Sequence, residues 1–109
     1  MNWTLSFLPE AEKDLSTLDE SRRLLALKAI RKVCSNPLPV NEGGYGKPLG
    51  HVNKRNLTGF LKIKLRDAGI RIVYKLVRTE TRMLVVVIGL RADDEAYEIA
   101  DRRIRKYGL

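Results

Sequence analysis

Apolar and polar positions along this chain of 109 residues change their period several times, and each change marks an element. In the stretch LKIKLRDAGIRIVY, Leu61, Ile63 and Leu65 alternate with Lys62, Lys64 and Arg66, and Ile70, Ile72 and Tyr74 then alternate with Arg71 and Val73. A period of two marks a half-buried strand. Asp67-Ala68-Gly69 between the runs supplies turn residues, so the pattern predicts a β-hairpin. Pairing Leu65 with Ile72 and Ile63 with Tyr74 would turn every apolar residue inward. The same register sets Arg66 across from Arg71 and Lys64 across from Val73. Lys62, Lys64, Arg66, Arg71 and Lys75 then crowd one outer surface, where like charges repel.

The flanking sequence follows in the same way. Trp3, Leu5 and Phe7 alternate with polar residues and predict a short strand. Pro9 suits the first position of a helix, and Glu10 and Glu12 suit the positive end of its dipole. Ala11, Leu15 and Leu18 form that helix's apolar stripe. Asp19 is placed to cap a second helix, with Leu24, Leu27, Ile30, Val33 and Cys34 as its core positions. From Ser35 to about Asn56 the pattern dissolves among prolines and glycines, which predicts a long loop. Leu76-Val77 continues the second strand of the hairpin, and Arg78 to Thr81 forms a turn. Met83 to Ile88 is continuously apolar, as in a central strand covered on both faces. Asp93 to Lys106 predicts a last helix with Ala96, Ile99, Ala100 and Ile104 on one side. Arg102, Arg103, Arg105 and Lys106 suit the negative end of its dipole.

The order strand, helix, helix, strand, strand, strand, helix predicts an α+β fold in one domain spanning residues 1–109. A helical hairpin would cover one face of a small, mostly antiparallel four-stranded sheet, and the cations would point from a second, partly open face. Cys34 is the one cysteine and His51 the one histidine, so no internal disulfide and no recognised metal-ligand spacing is present. No metal and no cofactor are expected. No apolar run is long enough to cross a bilayer, and Met1-Asn2-Trp3 leads straight into patterned sequence, so the expected location is the cytoplasm, away from membranes.

Charge changes this picture, because it is unevenly spread. Residues 1–46 hold six basic and six acidic side chains, whereas residues 47–109 hold fifteen basic and seven acidic, hence the whole net charge of +8. Basicity concentrated in the half that carries the hairpin suits a nucleic-acid partner, or alternatively an acidic protein. Lys47, Lys54 and Arg55 would extend the surface formed by Arg66 and Lys75. A cationic face without His, Cys or clustered carboxylates fits phosphate chemistry better than acyl transfer. RNA brings its own 2′-hydroxyl as nucleophile, so the protein need only take that proton, stabilise the phosphorane and assist the departing 5′-oxygen. Arg71 and Arg91 suit the task of clamping phosphate. Lys64 and Tyr97 are both candidates for the base, since neighbouring cations favour the deprotonated form of either group, and Tyr97 could instead stack on a nucleobase.

Several stretches together resemble a known family: FLPEAEKDLSTL, GKPL, LKIKLRDAGIRIVY, VVVIGLR and the closing EAY. Over nearly the whole chain they are similar to the RelE branch of the RelE/ParE superfamily, small toxins of type II toxin–antitoxin systems. The resemblance implies a metal-independent endoribonuclease that enters the ribosomal A site and cuts messenger RNA, inhibiting translation, and that is held in check by a cognate antitoxin. It places Lys62 and Lys64 on the two lysines of the family's KIK-type strand, Arg71 on the arginine of the next strand, Arg91 on the arginine after the apolar strand, and Tyr97 on the tyrosine of the last helix. Leu90 stands where some members carry a further lysine, and Ala92-Asp93-Asp94 replaces a more basic segment. The ParE branch, associated with poisoning DNA gyrase without enzymatic cleavage, is the alternative; it generally lacks the full set of five residues.

Overall fold

In the computed structural model, residues 2–52, 55–90 and 93–109 are described, Val52 and Asp93 by their main chain only. The elements are β1 (Thr4–Phe7), α1 (Pro9–Thr17), α2 (Glu20–Cys34), β2 (Lys47–Val52), β3 (Arg55–Leu65), β4 (Ile70–Val77), β5 (Arg82–Gly89) and α3 (Asp93–Tyr107). The strands form one sheet in the order β1-β5-β4-β3-β2. β1 runs parallel to β5, and the other pairs are antiparallel.

The fold is the expected α+β arrangement with one strand more than expected. The segment from Ser35 to Asn56 is only partly a loop. Lys47 to Val52 forms the edge strand β2, and β3 begins at Arg55 rather than at Leu61. Pro48 and Gly50 hide this strand from a pattern reading, yet both are tolerated at an edge. Residues 36–46 fold back on the sheet, with Tyr45 N–H donating to the Asn36 carbonyl and Val40 N–H to that of Gly46. Tyr74, fully buried, donates its hydroxyl to the Pro37 carbonyl at 2.8 Å. A Cβ on Gly46 would collide with that hydroxyl and with Leu61, so the close approach requires glycine there.

The register of the central hairpin also differs from the predicted one. Leu65 pairs with Ile70, Ile63 with Ile72, Leu61 with Tyr74, and Lys64 directly with Arg71. A four-residue turn, closed by Gly69 N–H on the Arg66 carbonyl with Gly69 at φ 68°, shifts the pairing by two. A shift of two preserves which residues face inward. Helix α2 departs from its expected core as well. Asp19 caps it, accepting from Arg22 N–H, but its buried stripe is Ala26, Ile30 and Val33. Leu24 is 61% exposed and Leu25 47%.

Every residue from Met83 to Ile88 is buried, so β5 is covered on both faces. α1 packs on β5 and α2 on β3, while α3 contacts β3, β4 and β5. The end of α3 lies on the face that carries Phe60 and Lys75, where Lys75 Nζ donates to the Leu109 main-chain oxygen at 3.3 Å. That face is therefore less open than the sequence suggests. No described helix is long and apolar enough to cross a membrane.

A polar clamp joins α3 to α1. Arg103 makes a bidentate pair with Asp14, at 2.6 and 3.1 Å, and also donates to the Val86 carbonyl at 2.9 Å. Ile88 N–H donates to the same Asp14 carboxylate. Both side chains are mostly enclosed, 17% exposed for Arg103 and 20% for Asp14. One turn on, Glu10 accepts from Lys106 Nζ at 2.8 Å and from the Tyr107 hydroxyl at 2.6 Å.

Removing one member of the enclosed pair leaves the other desolvated and alone. Asp14→Ala is expected to cost about 2–4 kcal/mol in urea unfolding, and the double replacement Asp14→Leu, Arg103→Met to cost less than the single one. Equal losses would mean that the pair is not a coupled unit. Hydrogen bonds from Lys106 and then Tyr107 pull the pKa of Glu10 from 4.5 to about 2. Because the folded pKa is the lower one, this contribution is fully present above pH 4.5 and is lost as pH falls through about 2. Carboxyl and Tyr107 ring signals in NMR should move together across that window.

Candidate functional site

The candidate site is built on the turn end of the β3–β4 hairpin. Strand alternation sends Lys62 and Lys64 to the same face of β3, and the observed register sets Arg71 of β4 straight across from Lys64. Side chains so paired lie with their Cβ atoms about 4.5–5.5 Å apart. The row continues to Gly89 of β5, the cross-strand partner of Arg71, which adds no side chain of its own. Arg71 is partly buried and donates from Nη1 to the Gly69 carbonyl at 3.2 Å, which holds its guanidinium against the turn. Lys62 and Lys64 are likewise half-buried. On the other side of β3, exposed Lys47 of β2 pairs with Lys62, so a second cation joins that row.

Other expected site residues have different surroundings. Lys75 sits over the Phe60 ring, 5.7 Å from its centroid, besides its bond to Leu109. Arg55 is paired with Asp94 at 3.1 Å and reaches Glu98 at 3.9 Å, which ties the start of β3 to α3. Arg66 is exposed in the turn. Tyr97 is only 4% exposed, on the inner side of α3 with Ala96 and Ala100. Arg91 and Lys54 lie outside the described residues. The hairpin thus gathers Lys62, Lys64 and Arg71, with Lys47 and Arg66 at its borders. Lys75 and Arg55 are engaged in holding α3.

Packed beside this row is a groove of about 780 Å³ between α2 and the hairpin turn. Leu25 and Ala29 of α2 and Leu65 and Ala68 of the hairpin form its apolar lining, with Lys28, Lys32, Lys64 and Arg66 around them. Its sequence signal is Leu25, which falls off the helical stripe of Ala26, Ile30 and Val33. Among the described residues no group of three or more His, Cys, Asp or Glu side chains is placed to hold a metal. What the arrangement can do chemically is bind phosphate through a lysine and an arginine that face each other across two strands.

No family model matches the chain. A RelE-like toxin protein of Escherichia coli is 29% identical over 108 residues, which covers 96% of this chain and 100% of the relative. Among solved structures, a mutant of the E. coli toxin RelE in the free state aligns with a TM-score of 0.73 at 28% identity, over 95% of this chain and 99% of that one. An E. coli RelE mutant in complex with a peptide of the antitoxin RelB aligns with a TM-score of 0.69 at 26% identity, over 92% and 95% of the two chains. With the likeness running along nearly the full length of both partners, in sequence as in fold, the chain is RelE-like.

Proposed function

We propose that this chain is the toxin of a type II toxin–antitoxin pair and acts as a ribosome-dependent messenger RNA endonuclease in the cytoplasm. The observation that carries this reading is the direct pairing of Lys64 with Arg71 on a face that also holds Lys62. Neutralisation by an antitoxin is supported by the RelE structure in complex with a RelB peptide.

In the proposed reaction Lys64 acts as the base that takes the proton of the 2′-hydroxyl. The 2′-oxygen attacks phosphorus, and the bond from phosphorus to the 5′-oxygen breaks. A 2′,3′-cyclic phosphate and a 5′-hydroxyl result, the latter once Arg91 has supplied its proton. Arg71 and Lys62 neutralise the phosphorane, in which negative charge peaks, and cations fixed on a rigid sheet stabilise that charge without reorganising. The nucleophile belongs to the substrate, so the reaction needs no metal to generate it. Between the two candidate bases the burial of Tyr97 favours Lys64, because a base must reach the proton that it removes. Tyr97 then supports α3 from within the core.

Purified chain added to translating ribosomes should cut messages within codons, as read by primer extension, and leave naked RNA intact. Lys64→Ala and Arg71→Ala should each lower the cleavage rate about 10²- to 10⁴-fold without a loss of thermal stability. Tyr97→Phe should retain cleavage to within about threefold, an effect far below that of losing a base. Intact messages together with inhibited gyrase supercoiling would replace this reading with that of a ParE-like poison. A Tyr97→Phe protein as inactive as Lys64→Ala would return the base to Tyr97.

A further inference from the structure

A row of cations holds phosphates but gives a nucleobase nothing to lie on, and Tyr97, at 4% exposed, is out of reach for that purpose. Among the described residues the exposed aromatic side chains are Tyr45, 50% exposed, and Tyr107, 40%. Tyr107 is engaged elsewhere, its hydroxyl donating to Glu10 of α1 at 2.6 Å. Tyr45 is the ring beside the row. It lies two residues before Lys47, the cross-strand partner of Lys62. Because β2 and β3 are antiparallel, stepping back from Lys47 to Tyr45 follows the direction from Lys62 to Lys64, over about 6–7 Å of chain. Gly46 between them is buried, and both neighbours turn toward solvent. The ring also has a fixed place. Tyr45 N–H donates to the Asn36 carbonyl and Gly46 N–H to that of Leu38, each at 3.0 Å. A Cβ on Gly44 would run into the Leu38 carbonyl, as one on Gly46 would into the Tyr74 hydroxyl, so the chain on either side of the ring is pressed against residues 37–38 and the core. Arg78 holds Glu42 of the same loop through two bonds, at 2.7 and 3.1 Å. Lys32 Nζ stands over the ring, 5.3 Å from its centroid.

We propose that Tyr45 is the stacking platform for a nucleobase of a single-stranded RNA whose phosphates lie along Lys47, Lys62 and Lys64, with Lys32 beside the ring to meet the backbone of the same strand. A ring held by its main chain loses little freedom when a base settles on it, which favours binding. Tyr45 leads into β2, and β3 separates it from Arg71, so the stacked base belongs to a nucleotide flanking the cut and not to the reacting one. The platform selects single strands over base identity, since every base has a π-face and a duplex keeps its bases stacked on one another. An acidic peptide would meet the same cations and leave the ring unused. Tyr45 therefore sets where the strand lies along the row and moves no proton. That the strand is a message rests on the function proposed above, whereas the stacking is read from binding alone.

The test uses the full chain and a 2′-O-methyl hexanucleotide, which offers no nucleophile and so cannot be cut. On its addition the Tyr45 ring protons should move upfield in NMR while those of Tyr107 stay in place, a readout in the unsubstituted protein that holds even if a variant folds poorly. Tyr45→Ala should weaken binding about tenfold, and Tyr45→Phe should stay within about threefold, because stacking needs the ring and not the hydroxyl. Hexanucleotides with one base removed at a time should reveal a position whose loss weakens the unsubstituted chain about tenfold and the Tyr45→Ala chain less than about twofold. Val40→Ala, an exposed change in the same loop, should leave binding unaltered. On ribosomes, Tyr45→Ala should raise the protein concentration for half-maximal cleavage about tenfold and leave the maximal rate within about threefold. Tyr45 ring signals that do not move, a Tyr45→Phe chain as weak as Tyr45→Ala, or equal ring shifts with polyglutamate would overturn the proposal, the last in favour of an acidic protein. Messages left intact by the unsubstituted chain would overturn the endonuclease reading and leave the stacking result standing. Undiminished hexanucleotide binding by Tyr45→Ala beside normal cleavage would do the reverse.

Discussion

The architecture depends on how the edge of β5 is closed where β1 ends. The parallel pairing of β1 with β5 stops at Phe7 and Val85, and Leu8 N–H makes a last bond to the Val85 carbonyl. Val86, the next residue, is the extra one where the register between β4 and β5 shifts. Its carbonyl and the N–H of Ile88 would lie in a buried region without a strand partner, which is costly for main-chain groups. Arg103 and Asp14 supply both missing partners and neutralise each other while doing so. One side chain comes from α1 and the other from α3, so satisfying two main-chain groups also fixes the angle of both helices. Once α3 is held there, it covers the Phe60 and Lys75 end of the sheet and leaves the turn end accessible.

Much of this was legible in the sequence because it is carried by period and by caps. The alternation in LKIKLRDAGIRIVY gave the hairpin and its inward faces, and the apolar run Met83 to Ile88 gave the doubly covered strand. Register was another matter. Pairings two residues apart bury the same side chains, so the pattern cannot separate them, and the turn geometry decides. That decision has chemical weight, because it is the observed register that brings Arg71 opposite Lys64 rather than opposite Arg66. The edge strand β2 was hidden for a different reason: its main-chain bonds to β3 compensate for residues that are poor strand formers.

The clamp also has a sequence signature. Asp14 lies three residues after Ala11 and four before Leu18, on the buried side of α1, and Arg103 follows Ala100 by three on the buried side of α3. A charged residue inside an apolar stripe asks for a partner, and here each is the other's. Reading Arg103 as one cation among several at a helix end accounted for its charge but not for its position on the helix. The groove escaped for a related reason: apolar residues on α2 invite assignment to the core, and only the tertiary structure separates Ala26 and Ile30, which enter it, from Leu24 and Leu25, which do not.

Net charge alone would have misplaced the site. Of the basic residues that give the second half of the chain its surplus, Arg55 is spent on Asp94 and Glu98, Arg78 on Glu42, Arg103 on Asp14 and Lys106 on Glu10, while Lys75 is turned onto Phe60 and Leu109. These pairings hold helices and loops in place, and cations so committed contribute little to binding a polyanion. The cations at the hairpin turn are joined by Lys28 and Lys32 from α2, a helix in the half of the chain whose charges balance. The surface that matters is therefore assembled across the boundary that composition suggested, and Lys64 stands at its centre, bordering Arg71 on one side and the apolar groove on the other. A ligand that enters either region changes the electrostatic surroundings of the other. In so small a protein, one lysine at the end of a strand is enough to set the groove on the helix side beside the row of cations on the sheet.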